Sequence, residues 1–243
     1  MRDYPRPMRL VTWKIGHHLN GHESPNGVIE ALTALEPDMV IVAERLPHSG
    51  RQKLLAAMAA VGLEHQLAPE AGPRQRRMLI ASRMKLVAGV LNADMSGCHR
   101  PPDVLHAYAP DGGLDVLGLR ISDCGPRAST RHDSWEWLLH AAAALKHRRT
   151  VMLGDFELDV CHDHAAAQHQ LRHLMHDGWQ RAVQADGADY CTTGDEGLRL
   201  DHAFLSPSIQ RIDARYALAV AGIRLAGTRD ALSTQPPLVI DLQ

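Results

Sequence analysis

Short apolar runs that end in a carboxylate constrain the fold of this chain most. Residues Met39–Ala43 form a continuous run of apolar residues, and Glu44 follows directly. Residues Val151–Leu153 form a second run, and Asp155 follows after one glycine. A run that is apolar at every position is typical of a strand covered on both faces, because a strand with a solvated face alternates. The sequence therefore predicts buried strands with acidic side chains at their ends.

Helices and further strands alternate along the chain. Ser24 followed by Pro25 is typical of a helix start, and Val28, Ala31 and Leu32 then recur at helical spacing. Other helices are predicted over Leu54–Val61, Trp135–Leu145 and Asp163–Asp177. Other strands are predicted over Arg9–Trp13, Met78–Ser82 paired with Lys85–Leu91, Val104–Tyr108 in a hairpin with Leu114–Ile121, Thr150–Asp155, Asp201–Leu205, Ala214–Val220 and Leu238–Leu242. This order predicts one α/β domain over residues 1–243, a two-sheet sandwich with helices outside.

Composition excludes several classes of protein. About 45% hydrophobic residues allow a sizeable core, and no apolar run approaches the roughly 18 residues that span a bilayer. The N-terminal stretch MRDYPRPMRLVTW lacks the apolar core of a signal peptide, so a cytoplasmic protein is expected. The cysteines stand far apart without a CxxC pair, which argues against a zinc knuckle or a secreted disulfide framework. They are Cys98, Cys124, Cys161 and Cys191.

Net charge gives no general attraction to nucleic acid. The formal net charge is −2, and attraction to polyanions follows clustered Lys and Arg rather than the total. Arg74, Arg76 and Arg77 form one such cluster. It is either a local phosphate-binding surface or a solvated loop.

Five segments, in chain order, resemble the strand-end motifs of the endonuclease/exonuclease/phosphatase family. They are LVTWKI (10–15), PDMVIVAE (37–44), VMLGDFE (151–157), LRLDHAFLS (198–206) and STQPPLV (233–239). The family includes exonuclease III-like enzymes, pancreatic deoxyribonuclease and several phosphoesterases. The resemblance implies a four-layer αββα sandwich, in which two mixed β-sheets pack face to face with helices outside. It also implies metal-dependent hydrolysis of phosphodiesters.

The resemblance assigns the carboxylates of this chain to metal and catalytic positions. Glu44, Asp155 and Glu157 would hold Mg²⁺ or Mn²⁺, which prefer hard oxygen ligands. Asp201 matches the family's Asp in the Arg-x-Asp motif. Asp155, Asp201 and Arg120 are the expected catalytic residues.

Three departures from the family pattern put that chemistry in doubt. Lys14 stands where the family has Asn, and Arg120 stands where it has a catalytic His or Tyr. Thr234 and Gln235 replace the family's Asp-His pair. All four are expected to face a phosphate group. Lys14 would take over the electrostatic role of the metal and displace it, whereas an added oxygen ligand at Glu157 would restore metal affinity; the sequence does not decide between them.

Two functions follow from these departures. Glutamine cannot exchange a proton near neutral pH, and loss of a general acid or base typically costs about 10²- to 10⁴-fold in rate. The first hypothesis is a divergent metal-dependent phosphodiesterase or nuclease with weak or lost standard activity. The second is an inactive binding module for nucleic acid, a phosphorylated ligand or a protein partner. His202 is either a replacement base or a buried, aromatic-like residue.

The chain also contains 16 histidines, three of which fall on one predicted helix face. His169, His173 and His176 lie within about 60° of one another at roughly 100° per residue. Ala167, Leu171, Leu174 and Met175 are predicted to form the opposite, buried face. The three histidines are therefore expected to face solvent, where they could capture zinc or nickel opportunistically.

Overall fold

The computed structural model describes residues 6–15, 26–44, 48–68, 77–92, 103–121, 128–156, 165–182, 201–210, 212–226, 231–233 and 235–243. Within these ranges, the side chains of residues 44, 48–49, 77, 128–132 and 165–168 are not described. The helices are α1 (Asn26–Leu35), α2 (His48–Ala60), α3 (Ala128–Leu145) and α4 (Ala165–His176). The strands are β1 (Met8–Ile15), β2 (Met39–Glu44), β3 (His65–Leu67), β4 (Arg77–Ser82), β5 (Val87–Ala88), β6 (Asp103–Ala109), β7 (Leu114–Arg120), β8 (Thr150–Asp155), β9 (Gln180–Arg181), β10 (Asp201–Leu205), β11 (Ile212–Tyr216), β12 (Ala219–Val220), β13 (Ile223–Arg224) and β14 (Leu238–Leu242).

Most of the strands form two mixed sheets. The first sheet has the order β11-β14-β1-β2-β4-β3, and the second has the order β5-β6-β7-β8-β10-β9. One parallel pair lies inside each sheet, β1 with β2 and β7 with β8, while the other neighbours are antiparallel. Strands β12 and β13 form a separate two-stranded ribbon.

Alternation along β1 shows how the sheets face each other. Leu10 belongs to the apolar cluster between the sheets, whereas Val11 and Trp13 belong to the cluster beneath α1 and α2. Successive side chains of a strand point to opposite faces. Thr12 and Lys14 therefore share the inner face with Leu10 and point toward the second sheet.

Helices cover the two outer faces. Buried residues of α1 and α2, such as Leu32 and Met58, pack on the first sheet. Trp135 of α3 and Leu174 of α4 pack on the second sheet. The result is the four-layer αββα sandwich that the sequence analysis expected. No helix in the described part of the chain is long and apolar enough to cross a membrane.

Gly118 in β7 shows how closely the sheets approach. A Cβ atom added there would lie 2.8 Å from Ile41 Cγ2 and 3.3 Å from Met78 Cε, both on the first sheet. Real carbon atoms do not approach as closely as the first of these distances, so a glycine is required where the sheets meet.

Several predicted elements need correction. Met78–Ser82 and Lys85–Leu91 are not a pair, because β4 pairs with β2 and β3 while Val87 and Ala88 pair with β6 in the other sheet. The predicted strand Ala214–Val220 is divided between β11 and β12, and α2 begins before the predicted Leu54. Alternation was a poor guide here because β5 and β12 have only two residues each.

The histidine face of α4 is exposed, as predicted. His169, His173 and His176 are all exposed, and Leu171 and Leu174 are buried. Met175 was predicted to be buried but is 46% exposed. It lies directly beside Leu174, at the border between the two faces of the helix.

Some predicted features lie outside the described residues. They are the helix-start residues Ser24 and Pro25, the basic residues Arg74 and Arg76, and Cys98, Cys124, Cys161 and Cys191.

Candidate active site

Four charged residues form one row across the second sheet. Asp103 is paired with Arg120, Arg120 with Asp155, and Asp155 with Asp201. Side chains of directly paired residues emerge on the same face of a sheet. The row continues the inner face of the second sheet beyond its apolar core.

Asp155 is the centre of this row. It is fully buried, and its Oδ2 lies 2.8 Å from Lys14 Nζ and accepts a 3.0 Å hydrogen bond from Arg120 Nε. Lys14 comes from the first sheet and Arg120 from the second, so the carboxylate connects the two sheets. Two cations on one oxygen compensate the cost of burying its charge.

Asp201 is held from the first sheet as well. Its Oδ1 accepts a long 3.5 Å hydrogen bond from Thr12 Oγ1. Its backbone carbonyl accepts a hydrogen bond from the hydroxyl of Tyr216. Both donors lie on strands of the first sheet, which fixes the end of β10 against that sheet.

The segment before β14 is anchored on the backbone of Lys14. Ser233 Oγ donates a 2.7 Å hydrogen bond to the carbonyl of Lys14 and accepts a 3.1 Å bond from the amide of Gln235. Gln235 is buried, and its Oε1 makes no hydrogen bond within the described structure. Gln235 is therefore held beside β1 by its backbone.

Other predicted site residues are described in part or not at all. The backbone of Glu44 ends β2 opposite Ile15 and Arg77, but its side chain lies outside the described residues, as do Glu157 and Thr234. Of the predicted site residues, the structure brings together Lys14, Arg120, Asp155 and Asp201.

His202 faces away from this site. Its ring packs edge-on against Phe156, with a centroid separation of 5.8 Å, and its Nδ1 lies 3.4 Å from Arg181 Nη2. Neighbouring residues of a strand point to opposite faces, so His202 lies under the helices while Asp201 lies between the sheets. This geometry is that of a buried, aromatic-like residue rather than of a replacement base.

Asp103 is a member of the row that sequence reasoning missed. Burial raises the pKa of this carboxyl from the ordinary 3.8 to about 6. The residue stands outside the five family-like segments and follows two prolines, so no local pattern marks it. Its position became visible only through the pairing of β6 with β7.

Thr12, Tyr216 and Ser233 are further contacts that the sequence did not assign. Thr12 and Ser233 lie inside the family-like segments, which was an available signal. Tyr216 lies at the end of an edge strand, and nothing in the sequence connects it with Asp201.

The described donors do not suit a divalent cation. Asp155 Oδ2 is already occupied by two cations, and a divalent ion about 4 Å from an ammonium would be repelled by on the order of 8 kcal/mol at an effective dielectric of 20. Among the residues that the structure describes, no group of three or more His, Cys, Asp or Glu side chains converges to hold a metal. Chemically, the site offers fixed cations and hydrogen-bond donors.

Solved structures share this architecture along nearly the whole chain. A 3′-5′ exonuclease (NExo) from Neisseria meningitidis superposes with a TM-score of 0.69 at 17% identity, over 97% of this chain and 100% of the other. An endonuclease/exonuclease/phosphatase from Beutenbergia cavernae gives a TM-score of 0.70 at 17% identity, over 98% of this chain and 72% of the other. The chain has the endonuclease/exonuclease/phosphatase fold.

A further structure with this fold contains nucleic acid. It is described as the 3′ phosphatase NExo from Neisseria bound to a product DNA hairpin, and it superposes with a TM-score of 0.64 at 16% identity, over 97% of this chain and 99% of the other. No protein-family model and no curated protein matches the sequence. The likeness therefore concerns the endonuclease/exonuclease/phosphatase fold.

Proposed function

We propose that this chain binds a phosphate-containing ligand at the Lys14 end of the sandwich, and that standard metal-dependent hydrolysis is weak or lost. One observation carries the proposal: Lys14 and Arg120 both occupy Oδ2 of Asp155. The carboxylate expected to hold a metal is instead neutralised by the protein itself.

Loss of hydrolysis follows from the protonation chemistry of the replacements. Arginine stays protonated at all accessible pH values, so Arg120 cannot act as a general base. Gln235 carries a carboxamide that does not exchange protons. Asp155 cannot accept a proton from water without losing its attraction for two cations. Among the described residues of the row between the sheets, Asp103 alone could therefore replace the family's proton-transfer groups.

Ligand binding is supported by the accessibility of one cation. The side chain of Lys14 is 18% exposed, whereas that of Arg120 is 3% exposed. A phosphate group can therefore approach Lys14 from solvent, while the buried Arg120 contacts Asp155 within the second sheet. Gln235 adds a carboxamide next to the same strand. Nucleic acid is the first ligand class to test, because a solved structure with this fold contains a DNA hairpin.

A binding measurement tests the positive part of the proposal. Fluorescence anisotropy with 3′-phosphorylated single-stranded and hairpin DNA, in chelator, is expected to show salt-dependent binding. We expect Lys14→Gln to weaken it by about 10-fold, the effect of roughly one charge-assisted hydrogen bond. The exposed Lys85→Gln is the matched control and should bind like the wild type. Equal affinity of the wild type and Lys14→Gln would contradict the proposal.

A hydrolysis panel tests the negative part. Nuclease, phosphodiesterase and 3′-phosphatase substrates are incubated with the protein in Mg²⁺ and in Mn²⁺. The proposal expects little or no turnover above that of an Asp155→Ala variant. Turnover at an ordinary enzymatic rate that Asp155→Ala abolishes would instead establish an active phosphodiesterase.

A second candidate function is a weak residual phosphodiesterase. Asp155 at the end of β8 and Asp201 at the start of β10 remain directly paired, and burial raises the pKa of Asp103 to about 6. If residual turnover exists, Asp103→Asn should reduce its rate and change its pH profile. An unchanged pH profile would exclude Asp103 as the proton-transfer group.

A further inference from the structure

We infer that Lys14 is a built-in cation that joins the two sheets, so that the stability of this end of the sandwich does not depend on a divalent metal. The Lys14–Asp155 pair bridges the inner faces of opposite sheets over 2.8 Å.

Apolar packing ends beneath this pair. Leu10 and Ile41 of the first sheet and Leu153 and Ala203 of the second belong to one buried cluster. At the next inward-facing positions of β1, β8 and β10, the side chains are polar or charged. A carboxylate buried at that level without a cation would destabilise the fold, and Lys14 supplies a cation for Asp155.

Lys14 also holds the segment that leads into β14. Its carbonyl accepts the hydrogen bond from Ser233 Oγ, and Ser233 in turn orders the backbone of Gln235. The ammonium thus fixes β1 to the second sheet, while the carbonyl fixes residues 233 and 235 to β1. Loss of the ammonium is expected to loosen both connections.

A resident ammonium differs from a bound metal in one measurable way. Its charge is covalently attached, so chelators cannot remove it and added cations cannot increase it. A neutral oxygen donor at the same position would remove one cation from Asp155 Oδ2 and would open a place for a hard cation. The stability of the protein would then become dependent on Mg²⁺ or Mn²⁺.

Thermal unfolding of three variants tests this inference. The wild type, Lys14→Asn, Lys14→Met and the control Lys85→Asn are each unfolded in chelator, in Mg²⁺ and in Mn²⁺. We expect the wild type and Lys85→Asn to have the same Tm under all three conditions. Both Lys14 variants should unfold about 5 °C lower in chelator, because one partner of a buried pair is missing. The divalent ions should raise the Tm of Lys14→Asn more than that of Lys14→Met, because only the asparagine offers an oxygen ligand.

Three results would overturn the inference. The first is a Tm of Lys14→Asn in chelator that equals the Tm of the wild type. The second is a Tm of the wild type that rises with Mn²⁺ as much as the Tm of Lys14→Asn does. The third is a decrease in the Tm of Lys14→Asn that neither ion restores. If the Lys14 variants fail to fold, Mn²⁺ is titrated into the wild type and its binding is measured by calorimetry. Mn²⁺ binding that Asp155→Asn removes would contradict the inference that Lys14 is the resident cation. Failure of the phosphate-binding proposal would leave these Tm values unaffected, so the two can fail separately.

Discussion

At the residue scale, Asp103 is the group whose ionisation costs the fold most clearly. Burial raises its pKa from 3.8 to about 6. The folded state therefore holds the proton more tightly than the unfolded state, and the stability of the wild type falls as pH rises through this window. We predict that Asp103→Asn stabilises the protein at neutral pH by on the order of 2 kcal/mol, measured by urea unfolding.

The pH dependence of that difference is the diagnostic part. Well below the unfolded pKa of 3.8, both states of the wild type carry a protonated Asp103, so the advantage of the asparagine should vanish. The exposed Asp213→Asn serves as control and should change the stability little at either pH. A stabilisation by Asp103→Asn that is the same at both pH values would mean that burial of the charge is not its cause.

At the element scale, the approach of β7 to β2 limits what the sandwich can accommodate. A Cβ at Gly118 would lie 2.8 Å from Ile41 Cγ2, a branched methyl that cannot turn away freely. We predict that Gly118→Val destabilises the protein by about 2–3 kcal/mol through overpacking between the sheets, measured by chemical denaturation. Site residues at the ends of both strands should also lose their alignment.

A double-mutant cycle separates overpacking from a backbone effect. Ile41→Val keeps the clashing Cγ2 and should give little rescue in the Gly118→Val background, whereas Ile41→Ala removes this atom and should give more. Each Ile41 variant alone must be measured in the wild-type background, where it should only destabilise. Additive losses without any rescue would refute a steric contact between β7 and β2.

At the scale of the whole molecule, the sequence predicts the layers better than the site. Apolar runs such as Met39–Ala43 mark buried strands because burial on both faces leaves a compositional signal. The meeting of Lys14 with Asp155 leaves no such compositional signal, since it depends on the facing of two sheets. It was expected only from the resemblance of residues 10–15 and 151–157 to the family's motifs. The row from Asp103 to Asp201 is likewise a product of strand pairing, which local patterns do not encode.

A second contribution to the pH dependence, opposite in sign to that of Asp103, comes from a buried histidine far along the second sheet from Asp155. His106 is fully buried, its Nδ1 accepts a 3.3 Å hydrogen bond from the amide of Leu91, and its Nε2 lies 2.9 Å from Asp115 Oδ1. The ring is therefore neutral with its proton on Nε2, which donates to Asp115. Asp115 also pairs with Arg148 through a 2.8 Å contact.

Burial lowers the pKa of His106 below the ordinary 6.5, despite the opposing effect of Asp115. The unfolded state therefore takes up the proton first, and the folded state loses stability as pH falls below the unfolded value. We predict that His106 contributes a loss of at most about 1.4 kcal/mol per pH unit on acidification, measured by urea unfolding in the Asp103→Asn background, where the opposing contribution of Asp103 is absent. His106→Gln, whose carboxamide does not titrate, should reduce this slope, whereas the exposed His147→Gln should not. The buried ring of His106 must give up the Leu91 hydrogen bond when it is protonated. Equal slopes of stability against pH with and without His106→Gln would therefore show that the acid sensitivity arises elsewhere.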